Sequence, residues 1–379
     1  MNNYKEIFNY LSPVHIKEIL DYDWKEQQIG SKISIIHENN IDIDEADVVI
    51  IGCGEFRSQN RNASYNDGPD KIREELYKLF YWHYDIKIAD LGNIIEGNTL
   101  EDTRSALKIV LIELERLGKR VLILGGSHDL TLQQYEVYKS KKEIIDFSIV
   151  DMLVDIDQKE NLHYDSYLME ALTSTPNFIR HFSLFGFQSY YVNPNVIETL
   201  DRLHFDCVRV GKAREDIEQI EPQLRQSKIA SIDINAIRYS DAPANKTGSP
   251  NGFYGDEMCK ITRYAGLSDE MKSLGIYGYQ SEFDTENITA KLISQMIWYY
   301  IDGVQLLKKE APFEEKENYL EYHISFTDVE TYFLKSKKTN RWWMQLPNKI
   351  YIACTYQDYL SACNNEIPER WLRAMDQIV

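Results

Sequence analysis

The feature that most narrows the fold is a repeated one. Short apolar runs, each closed by glycine or a carboxylate, alternate with stretches of helical spacing. About eight runs are legible, at 48–55 (VVIIGCGE), 86–94, 121–126 (VLILGG), 147–157 (FSIVDMLVDID), 182–187, 207–213, 228–234 and 274–279. Short apolar runs bounded by turn residues suit strands of a parallel sheet covered on both faces. The helical spacing is clearest over Thr103–Leu117, where Ala106, Leu107, Val110, Leu111, Leu114 and Leu117 share a face. Another helix is expected to start near Pro69, a residue suited to a first turn, with Asp70 at the positive end of the macrodipole. A third, densely apolar, follows Asp284. Strand, helix and strand joined by short links imply right-handed crossovers and an α/β architecture with a mostly parallel sheet.

Open α/β sheets present their functional groups just beyond the carboxyl ends of the strands. His128 emerges there after Gly125-Gly126, as do Asp151, Asp155 and Asp157 after the 147–150 run. Asp233 and Asn235 close the 228–234 run two residues apart, a spacing that puts both on one face of the sheet. One imidazole and several carboxylates on a common rim suggest a metal site. Gly52 and Gly54 form GxG after a strand, but the third glycine and a closely following helix are missing, so no dinucleotide site is expected.

Three segments are expected: an N-terminal extension over 1–45, a main domain over 46–310 and a β-containing appendage over 311–379. Within the appendage, Arg341-Trp342-Trp343 reads as packing against the main domain, with a partner-facing aromatic patch as the alternative. A formal charge of −18 argues against nucleic acid and anionic membranes as partners. The five cysteines lack CxxC spacing and are odd in number, which fits buried thiols in a reducing compartment. No basic-then-apolar leader opens the chain and no run of 18 apolar residues occurs, so a cytoplasmic protein without membrane insertion is expected.

Several of these motifs together resemble the ureohydrolase family of arginase, agmatinase and formimidoylglutamase. The marks are GGSH at 125–128, VDMLVDID at 150–157, SIDIN at 231–235 and APANKTGSPNGF at 242–253. They fall within roughly 47–306, and PNGF followed by GDEMCKITRYAGLSD is most similar to formimidoylglutamase. The resemblance implies a three-layer α/β/α sandwich with two Mn²⁺ ions at the strand ends, bridged by a hydroxide that attacks a guanidino or formimino carbon. It also implies a small-molecule substrate of that kind and a homo-oligomer.

Carried over residue by residue, one ion's ligands are all present: His128, Asp151, Asp155 and Asp233. The other shares Asp151 and Asp233 but also needs positions held here by Leu153 and Asn235. A glutamate that anchors the substrate's cationic nitrogen aligns with Gly278, while Asp284 beyond it is kept. Asp155 and His163 are the candidate catalytic residues, His163 as a proton shuttle. Arg238 is a candidate to neutralise the carboxylates if no metal does. Two readings follow. In one, the chain has lost two-metal hydrolysis and serves in binding or as a scaffold, with a protein partner on its appendage; its rim carries one divalent ion such as Mn²⁺, or none. In the other, it is an active C–N hydrolase that works with a single ion.

Overall fold

The computed structural model describes residues 3–14, 22–36, 43–59, 65–156, 163–326 and 329–376. Asp157 lies outside the described residues, as does the side chain of His163.

Ten strands form the main sheet: β1 (Leu11–Ser12), β2 (Ser34–Ile35), β3 (Val48–Cys53), β4 (Ile88–Ile94), β5 (Arg120–Gly125), β6 (Ile145–Val150), β7 (Ile179–Phe187), β8 (Asp206–Arg209), β9 (Ile229–Asp233) and β10 (Ser273–Tyr277). Their spatial order is β1-β4-β3-β5-β10-β9-β6-β7-β8, with β2 also on β4. Only β1 runs antiparallel to its neighbour. The extra strands beyond the expected eight or so are β1 and β2. Each is two residues long, too short to show a period in sequence, and each stitches the N-terminal segment to β4.

Helices cover both faces, each burying its own apolar core. One face carries helices Gly68–Leu76, Glu221–Gln226, Gly255–Gly266 and Ile288–Lys308; the other carries Leu100–Arg116, Thr131–Lys141 and Tyr167–Thr173. Helix Leu100–Arg116 starts at a capping box in which Thr99 and Asp102 satisfy each other's backbone N–H. The run at 207–213 departs from expectation. It is a strand only to Arg209 and turns into helix Val210–Glu215, because β8 is an edge strand held by β7 alone. Among the described residues, no helix is long and apolar enough to cross a membrane.

Beyond the main sheet lies an antiparallel meander, β11 (Tyr319–Phe326), β12 (Val329–Ser336), β13 (Trp342–Gln345) and β14 (Tyr351–Cys354), followed by helices Tyr356–Cys363 and Glu369–Asp376. Alternation along β12 and β13 splits its side chains between two cores. Phe333, Trp342 and Met344 face the two helices, whereas Leu334 and Trp343 face the other way, with Ala311 and Tyr319. Trp343 lies between two guanidiniums: Arg225 at 4.6 Å and Arg341 at 5.1 Å from the ring centroid. Arg225 Nη1 also donates to Trp342 O, and Arg341 Nη1 donates to Leu267 O. The Arg-Trp-Trp stretch therefore fastens the meander to the main domain.

Candidate metal centre

The strand order brings the candidate ligands together. β6 and β9 are neighbours in register, Val150 opposite Ile232, so Asp151 and Asp233 leave adjacent strands side by side. His128 comes from beyond β5, on the far side of β10. It reaches the carboxylates because β10 ends at Gly278, whose φ of +84° and missing side chain leave the space open. A Cβ there would stand 2.5 Å from Asp233 Oδ1. The loops also close tightly at Gly126, where a Cβ would lie 2.3 Å from Glu55 O.

Both strand-end aspartates are oriented in the same way. Asp151 Oδ1 accepts from Leu153 N at 2.8 Å, and Asp233 Oδ1 accepts from Asn235 N at 2.8 Å. Each carboxylate is thus tied by one oxygen to the backbone two residues on, and the other oxygen is aimed inward. The Oδ2 atoms of Asp151, Asp155 and Asp233 lie 2.7, 3.4 and 3.7 Å from His128 Nδ1. Asp151 Oδ2 is buried and accepts no hydrogen bond, in spite of its nearness to the ring. The imidazole and Asp151 stand at ion-pair distance, with the Asp155 and Asp233 oxygens converging beside them. His128, Asp151 and Asp233 each offer an atom to a group spanning no more than 4.8 Å, with Asp155 beside it.

The opposite edge of the imidazole is held as well. His128 Nε2 lies 2.7 Å from Ser231 Oγ, which is 2.5 Å from Thr131 Oγ1. Were Nε2–H to donate to Ser231, Nδ1 would be left to face an ion, the arrangement by which a second partner orients a metal-binding histidine. Tyr167 packs against the ring, its OH 3.2 and 3.3 Å from the two nitrogens. Sequence reasoning missed Thr131 and Tyr167, which carry no local signal. Ser231 was detectable, since it shares strand parity with Asp233.

The electrostatics are those of buried, crowded carboxylates. Burial, then the neighbouring Asp151 charge, pushes the carboxyls of Asp155 and Asp233 up to about 7. Burial works against a charged His128, but the three carboxylates outweigh it and raise its pKa above the ordinary value. Carboxylate oxygens and one imidazole nitrogen are a donor set that fits a divalent ion of the Mn²⁺ kind, which would relieve their repulsion. Arg238, a sequence candidate for that task, does not perform it: it bonds Asp241 at 2.8 Å and lies over the Tyr254 ring at 4.0 Å. Asp284 is spent elsewhere too, capping helix Ile288–Lys308 through Thr289 N and Ala290 N.

The remaining positions are plain. Leu153 lines the cleft above the centre. Asn235 Oδ1 accepts from Met152 N at 3.0 Å, which fixes the amide against the backbone. The cleft measures about 1220 Å³ and is also walled by Tyr65, Lys71, Asn193, Lys246 and Glu282. Gly278→Ala is expected to destabilise the protein by about 1–2 kcal/mol through its left-handed φ alone. The new Cβ would also displace Asp233, so metal titration of this variant should show weakened binding alongside an earlier urea midpoint.

Residues 46–302 match the family model described as the Arginase family. A formimidoylglutamase of Staphylococcus haemolyticus is 22% identical over 250 residues, covering 62% of this chain and 78% of that protein. The fold resembles a Trypanosoma cruzi formiminoglutamase structure containing Mn²⁺, with TM-score 0.65 and 16% identity over 73% of this chain and 98% of that one. It also resembles the Bacillus subtilis formimidoylglutamase, with TM-score 0.66 and 16% identity over 80% and 99% of the two chains. The strand-end rim and this kinship converge: the chain belongs to the arginase family.

Proposed function

We propose that this chain holds a single divalent ion, Mn²⁺ by analogy with its relatives, on His128, Asp151, Asp155 and Asp233, and that it has lost two-metal hydrolysis. Its role is to bind a small formimino or guanidino molecule in the cleft. The observation that carries this reading is the hydrogen bond from Met152 N to Asn235 Oδ1. That bond ties the one atom of Asn235 able to ligate, a neutral carbonyl oxygen, to the backbone, and Leu153 offers none, so a second ion would rest mainly on the shared carboxylates. When bound, the single ion supplies Lewis acidity. The protein's own contribution is to aim His128 Nδ1 and one oxygen each of Asp151 and Asp233 at one point, with Asp155 beside them, and to hold the imidazole through Ser231. A second reading, a one-metal C–N hydrolase with Asp155 among its candidate catalytic residues, is favoured by the gathering of His128, Asp151, Asp155 and Asp233 on one rim.

Elemental analysis after Mn²⁺ loading is expected to give one equivalent per chain, lost in Asp233→Ala. The loaded protein should release neither urea nor formamide from guanidino or formimino substrates. Two equivalents of metal, or turnover abolished by His128→Ala, would falsify the proposal. Turnover with a single equivalent would establish the second reading.

A further inference from the structure

The C-terminal meander ends on a long bare edge. β11, with the sequence YLEYHISF, pairs with β12 along all eight residues without a register shift. Its other edge has no strand partner among the described residues. Sheets blunt such edges with lysine, proline, bulges or very short strands, because free N–H and C=O groups template further pairing. β11 has no lysine, proline or bulge, and its one charged side chain, Glu321, is the group a pairing strand has to match. Leu320, Tyr322 and Ile324 stand on one face, where Tyr322 packs on Tyr359 at 5.1 Å. Glu321 and His323 stand exposed on the other. The His323 ring is steadied there by stacking on Tyr332 at 4.8 Å, with Glu330 Oε2 3.7 Å from its Nε2.

We propose that β11 is a two-fold contact between two copies of this chain, paired antiparallel so that Tyr322 faces Tyr322 of the second copy and Glu321 faces His323. The register follows from geometry and charge. In an antiparallel ladder only alternate residues turn their backbone groups outward, so facing residues must share parity. A two-fold axis then has to pass through a residue, and the longest overlaps centre on Tyr322 or His323. Centring on His323 sets imidazole against imidazole and leaves Glu321 facing Ser325. Centring on Tyr322 sets Glu321 against His323 twice and Leu320 against Ile324 twice. Two chains of charge −18, counted with histidine neutral, repel at long range, so a self-contact needs pairs in which an imidazole N–H meets a carboxylate oxygen.

The test is sedimentation velocity of the full chain over a wide concentration range, with circular dichroism and melting as controls for folding. Wild type is expected to self-associate. His323→Glu opposes glutamate to glutamate at both pairs and should weaken that step about ten-fold. The charge swap Glu321→His with His323→Glu should restore it. Should His323→Glu fail to fold, Glu321→Lys removes the attraction from the other side and is expected to act in the same direction. A monomeric wild type, association unchanged in the single variants, or a swap that fails to recover association would each overturn the proposal. Unchanged association would also place any self-contact on another surface.

Discussion

Leu153→His combined with Asn235→Asp is expected to raise bound Mn²⁺ from one equivalent per chain to two. The side chain at 235 already has its Oδ1 engaged by Met152 N, and that bond survives in aspartate. What changes is the other branch: an amide nitrogen without a lone pair becomes a carboxylate oxygen at the edge of the cleft. A histidine at 153 adds the second missing ligand at a position that already lines that cleft. Without metal, the added carboxylate joins a crowd in which Asp155 and Asp233 are already pushed up to about 7, so the apo variant should melt earlier than wild type. Saturating Mn²⁺ should more than recover the difference. Neither single substitution is expected to change the stoichiometry. If the double variant stays at one equivalent, the second site has been lost in its backbone and not merely in its ligands.

The largest stability effect is expected far from the rim, at Arg73. This residue is fully buried on helix Gly68–Leu76. Its Nε and Nη2 bond the two oxygens of Asp90 at 2.8 and 2.9 Å. Further bonds reach Gly92 O, Asp70 and Asn93. Arg73→Met leaves Asp90 as an uncompensated buried charge and should cost about 3–5 kcal/mol in urea denaturation. Arg73→Met with Asp90→Leu removes both charges and is expected to recover more than half of that loss, although Tyr77 OH and Gly92 N then lose their acceptor. A double variant no more stable than the single one would show that these bonds, and not the lone charge, set the cost.

Much of the site was legible in the sequence because parallel sheets confine chemistry to strand ends. His128, Asp151, Asp155 and Asp233 could be placed on one rim from four short segments, and the structure gathers them within a few ångströms of one nitrogen. Contacts made across the fold were not legible. Nothing in DMLVD announces that Met152 N–H will occupy Asn235, and nothing near Arg238 indicates that Asp241 and Tyr254 hold it away from the rim. The strands at Leu11–Ser12 and Ser34–Ile35 were also invisible, since two residues carry no period and pair only because β4 is already there. In Arg341-Trp342-Trp343, composition left both packing and partner binding open. Strand alternation decides it by sending the two indoles into different cores.

Gly278 constrains the rim more tightly than its neighbours do. Leu153 and Asn235 keep their places, and a single substitution at each returns a ligand type. At 278 the place itself has gone, because any side chain would begin 2.5 Å from Asp233 Oδ1. Reversal there requires first reshaping the end of β10, which would disturb the hydrogen bond from Gly278 N to Gly126 O and with it the loop that carries His128. Positions 153 and 235 can therefore take other side chains without moving the strand ends, whereas 278 admits none while Asp233 keeps its place.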